Sequence, residues 1–202
     1  MKISPIYIFI LTLNFVHGLK DGLCPTPPMG FSSWNAFKQN IDQDKILSTV
    51  DSIKRLGLDK YGYNYIIIDD LWSTPKRHPS NQRILVNETR FPQGMKFISD
   101  YIHQNGLKFG LYANAGVKTC AGMPGSLGFE QQDLAQFMEW NIDYLKYDNC
   151  YPQNENEPYK IDKWKSALHF PSLYQFPDEK TRFQPMGEAL LAASNKVSIL
   201  QT

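Results

Sequence analysis

Tyr63-Asn64-Tyr65-Ile66-Ile67-Ile68-Asp69-Asp70 is the stretch that decides the fold. A short β-branched and aromatic run without polar alternation suits a parallel strand covered on both faces. Two carboxylates then stop it. The pattern returns twice, with Lys108 to Tyr112 halting at Asn114 and Ile142 to Tyr147 halting at Asp148-Asn149. Each predicted strand therefore delivers polar side chains at its C-terminal end.

Between these runs the apolar spacing becomes helical. Asp44 to Leu56 places Ile46, Val50, Ile53 and Leu56 on one face, and Gly57 can terminate it. Phe91-Pro92 opens a second helix with Met95, Ile98 and Ile102 inward, closed by Gly106. A third helix spans about Glu130 to Trp140, with Leu134, Phe137 and Met138 as its apolar side. A fourth, around Met186 to Ala193, precedes an apolar run from Val197 to Leu200. Phe31 to Trp34, after Pro27-Pro28-Met29-Gly30, serves as the first strand.

The order is β-α four times, then a fifth strand. This is an α/β chain with a parallel sheet and right-handed crossovers. A doubly wound sheet and a (β/α)8 TIM-type barrel both fit that order. No GxGxxG follows the first strand, which removes the main support for a dinucleotide fold. Carboxylates at successive strand ends are what a barrel active site uses. A complete barrel takes about 250 residues. With 202 residues, the expected fold is a barrel truncated after about strand five.

Hydrophobic residues make up 42% of the chain and charged residues 20%, enough for a packed core. The net charge of +1, with no basic or acidic block, argues against nucleic-acid and polybasic membrane partners. Met1-Lys2, an apolar run from Ile6 to Val16 and His17-Gly18 predict a secretory signal peptide over residues 1–18. That run is shorter than the roughly 20 apolar residues a membrane span needs. Asn87-Glu88-Thr89 is an N-glycosylation acceptor. Three cysteines, Cys24, Cys120 and Cys150, permit one bridge and leave one thiol over. With no CxxC or Cys/His cluster, neither a metal nor a cofactor is expected.

Lys146-Tyr147-Asp148 carries the strongest chemical signal. Strand alternation puts Lys146 and Asp148 on one face. A cation beside a carboxylate favours the ionised form that a nucleophile requires. Asp69-Asp70, followed by Trp72, forms a second cluster. Sugar hydroxyls donate well to carboxylates, and the apolar faces of a sugar stack on aromatic rings. Trp34, expected to end the first strand, and Tyr112, ending the third, add aromatic surface. Together these groups predict a carbohydrate pocket.

The same motifs resemble a known family. Met29-Gly30-Phe31-Ser32-Ser33-Trp34-Asn35 is similar to the opening MGWNSWN motif of glycoside hydrolase family 27, the α-galactosidases or melibiases. Asp69-Asp70-Leu71-Trp72 resembles its DDCW motif, and Thr119-Cys120-Ala121-Gly122 its TCAG. Pro124-Gly125-Ser126-Leu127-Gly128 follows in family order, and Tyr144 to Cys150 resembles the nucleophile motif almost letter for letter. The resemblance implies a secreted enzyme that hydrolyses terminal α-D-galactose residues with retention. It implies Asp148 as nucleophile and Lys146 as its charge partner and a sugar ligand. It further implies that Asp69 and Asp70 bind galactose hydroxyls, that Trp34 and Tyr112 wall the pocket, and that Cys120 pairs with Cys150. Residues 19–202 would then be the N-terminal part of the catalytic domain.

Departures from the pattern carry expectations of their own. Gln39 and Leu71 stand where the family has a second disulfide. Tyr151 to Arg182 reads as an inserted loop over the active-site face. The family's acid/base lies in a WRxxxD-like motif beyond strand five, and this chain ends Ile199-Leu200-Gln201-Thr202. The chain by itself is therefore expected to lack that carboxyl and to be inactive. Two alternatives stay open: an α-N-acetylgalactosaminidase of the same family, and a non-catalytic galactose-binding remnant. A Ser-nucleophile hydrolase has no GxSxG to support it. The sequence sets no oligomeric state.

Overall fold

The computed structural model describes residues 27–151, 179–192 and 198–201. The expected signal peptide, Cys24 and nearly all of the predicted inserted loop lie outside them. Five strands form one parallel sheet: β1 (Gly30–Ser32), β2 (Tyr65–Ile68), β5 (Lys108–Asn114), β6 (Tyr144–Asp148) and β7 (Ser198–Gln201). Their spatial order is their chain order. A doubly wound sheet reverses direction at a switch point; this one advances one way, as a barrel wall does. The described strands leave the sheet open, with β1 and β7 at its edges.

The helices follow the apolar spacing. Helix α1 is Ser33–Phe37 and α2 is Gln43–Leu56. Asp42 caps α2 by accepting the Lys45 amide, and Gly57 ends it in the left-handed region at φ 67°. Ile46, Val50 and Ile53 are buried as expected, whereas Leu56 is 59% exposed. Helix α3 (Gly94–Gln104) buries Met95, Ile98 and Ile102, and α4 (Glu130–Glu139) buries Leu134 and Phe137. Helix α5 (Glu179–Ala192) begins earlier than the sequence suggests and runs through Pro185. Among the described residues, no helix is long and apolar enough to cross a membrane.

Two departures shape the mouth of the sheet. The first strand ends at Ser32, so Trp34 stands half-buried on α1 and not at a strand end. Ser33 Oγ accepts the Asp69 amide at 2.9 Å, taking over where the β1–β2 ladder would have continued. The second departure is an antiparallel hairpin of β3 (Ser73–Arg77) and β4 (Ile84–Val86). It docks on α4, where Gln136 accepts the Ile84 amide and donates to the Ile84 carbonyl, extending the ladder with a side chain.

Trp72 belongs to the core and not to a sugar platform. It is 4% exposed, meets Phe137 and Trp140 edge-on, and donates its indole N–H to the Tyr112 carbonyl at 2.9 Å. Leu71 makes this possible. Its φ of 74° is unusual for a branched side chain and turns the backbone sharply. Asp70 is thereby left at the mouth while Trp72 returns to the interior.

Candidate active site

Parallel strands in register bring their last residues to one level. Tyr112 lies opposite Lys146 and Asn114 opposite Asp148, with Asp69-Asp70 following directly on neighbouring β2. The structure thus assembles Asp69, Asp70, Tyr112, Lys146 and Asp148 at the C-terminal end of the sheet. Lys146 and Asp148 share a face, but the ion pair differs from the expected one. Lys146 Nζ binds Asp69 Oδ2 at 2.7 Å, across 77 residues of sequence. Alternation along one strand gives no view of a partner on another strand.

Asp148 is held by hydrogen bonds. The Tyr112 hydroxyl donates to its Oδ2 at 3.2 Å and the Asn149 amide to its Oδ1 at 2.7 Å. Burial pushes the Tyr112 phenol far above its ordinary range, and the charges of Asp70, Asp148 and Asp69 push it further. Tyr112 therefore stays protonated and can donate throughout neutral pH. Being only 1% exposed, it offers the mouth its hydroxyl and not an aromatic face. Lys146 Nζ stands 5.3 Å from the centre of its ring.

Both carboxylates of the Asp69-Asp70 pair are buried and anchored. Asp69 Oδ1 accepts the Asp70 amide at 2.8 Å, and Oδ2 takes Lys146 and, more weakly, Ser32 Oγ at 3.4 Å. Asp70 accepts the Leu71 amide at 2.7 Å and the Ala121 amide at 2.8 Å. Burial raises the Asp70 carboxyl above its usual value, partly offset by hydrogen bonds from Ala121, Thr119 and Leu71.

The loops after β5 and β6 close over this cluster. Cys120 and Cys150 are joined in a disulfide with Cα atoms 5.1 Å apart. Cys120 Sγ lies 3.3 Å from Asp148 Oδ2. Gly116 permits the approach, because a Cβ there would sit 2.0 Å from the Cys150 carbonyl oxygen.

Sequence reasoning missed the support beneath the mouth. Arg77 on β3 makes a two-pronged pair with Asp133 on α4, both contacts at 2.6 Å. Arg77 also donates to the Gly125 and Gln82 carbonyls and stacks on Phe129. Burial raises the Asp133 carboxyl, while Arg77 opposes the shift. The turn-forming Pro79-Ser80-Asn81, between two extended stretches, was the available signal for the hairpin.

A one-way parallel sheet with paired acidic and basic groups at its C-terminal mouth defines an α/β scaffold of the barrel class. The chain belongs to the alpha galactosidase A family, whose profile matches residues 26–169. Among relatives, it is 47% identical over 135 residues to an alpha-galactosidase of Lachancea cidri, a match covering 67% of this chain and 28% of that protein. It is 42% identical over 161 residues to alpha-galactosidase mel1 of Schizosaccharomyces pombe, covering 77% and 37%. The structure of a Saccharomyces cerevisiae alpha-galactosidase with raffinose superposes with a TM-score of 0.74 at 37% identity, covering 89% of this chain and 35% of that one. The chain spans less than half the length of these relatives.

Proposed function

We propose that this chain supplies the galactose-binding and nucleophilic groups of a secreted, retaining α-galactosidase. The carrying observation is the convergence of Asp148, Lys146 and Asp69 at one strand-end level, with Asp148 oriented by Tyr112. The substrate class is terminal non-reducing α-D-galactose, a reading supported by the alpha-galactosidase relatives and by the neighbour solved with raffinose. Asp69 and Asp70 accept sugar hydroxyls, Lys146 donates to one, and Trp34 borders the pocket.

Asp148 attacks the anomeric carbon, forming a glycosyl ester as the bond to the leaving oxygen breaks. A second carboxyl protonates that oxygen and then takes a proton from the water that cleaves the ester. Asp69 and Asp70 are unsuited to that second role, since Lys146 and the Ala121 and Leu71 amides hold them. Entry to the secretory pathway rests on the pattern of residues 1–18, and the Cys120–Cys150 bridge accords with it. Asn87 is the proposed glycan acceptor; Glu88 and Thr89 beside it are exposed.

The test is Asp148→Ala in a full-length version that also carries the second carboxyl, assayed on an aryl α-galactoside. Hydrolysis should disappear while the thermal unfolding profile is kept. Turnover near that of the unaltered protein would contradict the assignment.

A further inference from the structure

We propose that reduction of the Cys120–Cys150 bridge exposes a preorganised site for a thiophilic divalent cation of the Zn2+ or Cd2+ type, built from both sulfurs and the Asp148 carboxylate. The ligand-capable atoms of these three residues lie within 4.8 Å of one another. Cys120 is exposed, and Cys150 and Asp148 are half-buried, so a dithiol reductant and a hydrated ion can both reach them. Exposed bridges are the labile class. Two thiolates and one carboxylate are three of the four ligands such ions take, and water completes the tetrahedron.

The backbone holds these donors together without help from the S–S bond. On the Cys150 side, its amide donates to Asn114 Oδ1 at 2.7 Å, and Asn114 Nδ2 donates back to its carbonyl at 2.8 Å. The Ala115 amide bonds the Asp148 carbonyl and the Val117 amide the Tyr151 carbonyl, at 2.8 and 2.9 Å. On the Cys120 side, the Thr119 amide donates to the Met123 carbonyl, the Met123 amide to Thr119 Oγ1, and the Ala121 amide to Asp70. Both loops thus stay docked when the covalent link opens. Zn–S bonds of about 2.3 Å set the two sulfurs roughly 3.8 Å apart in a tetrahedron. Side-chain rotation reaches that separation from Cα atoms 5.1 Å apart.

A dithiol gives two electrons and two protons to the bridge and closes to its own cyclic disulfide, leaving two thiols. The cation then displaces both thiol protons to the buffer. The proposal rests on the placement of three donors and not on the catalytic reading of Asp148.

The experiment titrates Cd2+ into the secreted form, residues 19–202, carrying Cys24→Ser, before and after dithiol reduction and removal of the reductant. Sulfur-to-cadmium absorption and calorimetry report binding. The reduced protein should bind one equivalent, and the oxidised protein should bind at least a hundredfold more weakly. Cys120→Ser should weaken the reduced site by a similar factor, and Asp148→Asn by about tenfold. Equal binding before and after reduction would overturn the proposal. So would reduced-state binding indifferent to Asp148→Asn, the signature of two thiols on an unfolded chain.

Discussion

The Lys146–Asp69 and Arg77–Asp133 pairs both join distant segments at contact distance, 2.7 Å across 77 residues and 2.6 Å across 56. They differ in what remains unoccupied. Arg77 engages two carboxylate oxygens, two backbone carbonyls and the face of Phe129, and its partner Asp133 is fully buried. Lys146 makes a single ion-pair contact, and its side chain is 23% exposed. An ammonium has three donors, so among the described contacts Lys146 keeps capacity for an incoming hydroxyl. Saturation distinguishes the brace from the site: one pair closes its hydrogen-bonding account on the protein, and the other leaves it open toward solvent.

Removing Arg77 should have the largest effect on stability. Arg77→Met strands Asp133 in the interior, and loss of one partner of a buried pair destabilises by about 3–5 kcal/mol. Denaturant unfolding measures this directly. A loss below that expected for Lys146→Met would erase the distinction between the two pairs. Replacing both Cys120 and Cys150 by Ser should follow, at about 2–4 kcal/mol for a bridge closing a loop of this size. Lys146→Met comes next, at about 1–3 kcal/mol, because Asp69 keeps the Asp70 amide and the Ser32 hydroxyl. Its larger signature should be weakened galactose binding, readable by calorimetry.

The smallest effect concerns alkaline pH. Burial raises the phenols of both Tyr112 and Tyr147 above the ordinary value of 10.0. A folded-state pKa above the unfolded one gives stability that is complete below pH 10 and lost as pH rises beyond it. Each buried phenol should withdraw about 1 kcal/mol between pH 10 and 11, the slope rising toward about 1.4 kcal/mol per pH unit above that. Tyr112→Phe should flatten the fall of unfolding free energy between pH 10 and 11. An unchanged slope would mean that Tyr112 ionises freely in the folded protein.

The strands and the one-way order of the sheet were legible because Ile66 to Ile68 and Leu111 to Tyr112 are apolar on both faces, which few alternatives to a parallel interior strand tolerate. The strand-end residues were legible for the same reason, since a carboxylate must wait for the ladder to end. Partners across strands were not. Lys146 was read with Asp148, its neighbour by alternation, whereas its side chain reaches across β5 to Asp69 at the end of β2. Trp72 read as pocket surface until the left-handed turn at Leu71 carried it into the core. The β3–β4 hairpin escaped notice because Thr74-Pro75-Lys76-Arg77 is polar and contains proline, so it lacks an inward apolar face. Its strength as an element comes from Arg77 and Gln136, contacts made only in three dimensions.

Whether the mouth is a galactose site with Asp148 as nucleophile can be tested without any second carboxyl. A fluorinated α-galactosyl fluoride has a leaving group that departs without protonation, so formation of the glycosyl ester needs only binding and the nucleophile. After incubation with this reagent, peptide mass spectrometry of the protein should show one added fluorosugar on the segment containing Asp148. The label should be suppressed by free galactose and absent in Asp148→Asn. A folded protein that takes up no label, or takes it up on another residue, would contradict the account.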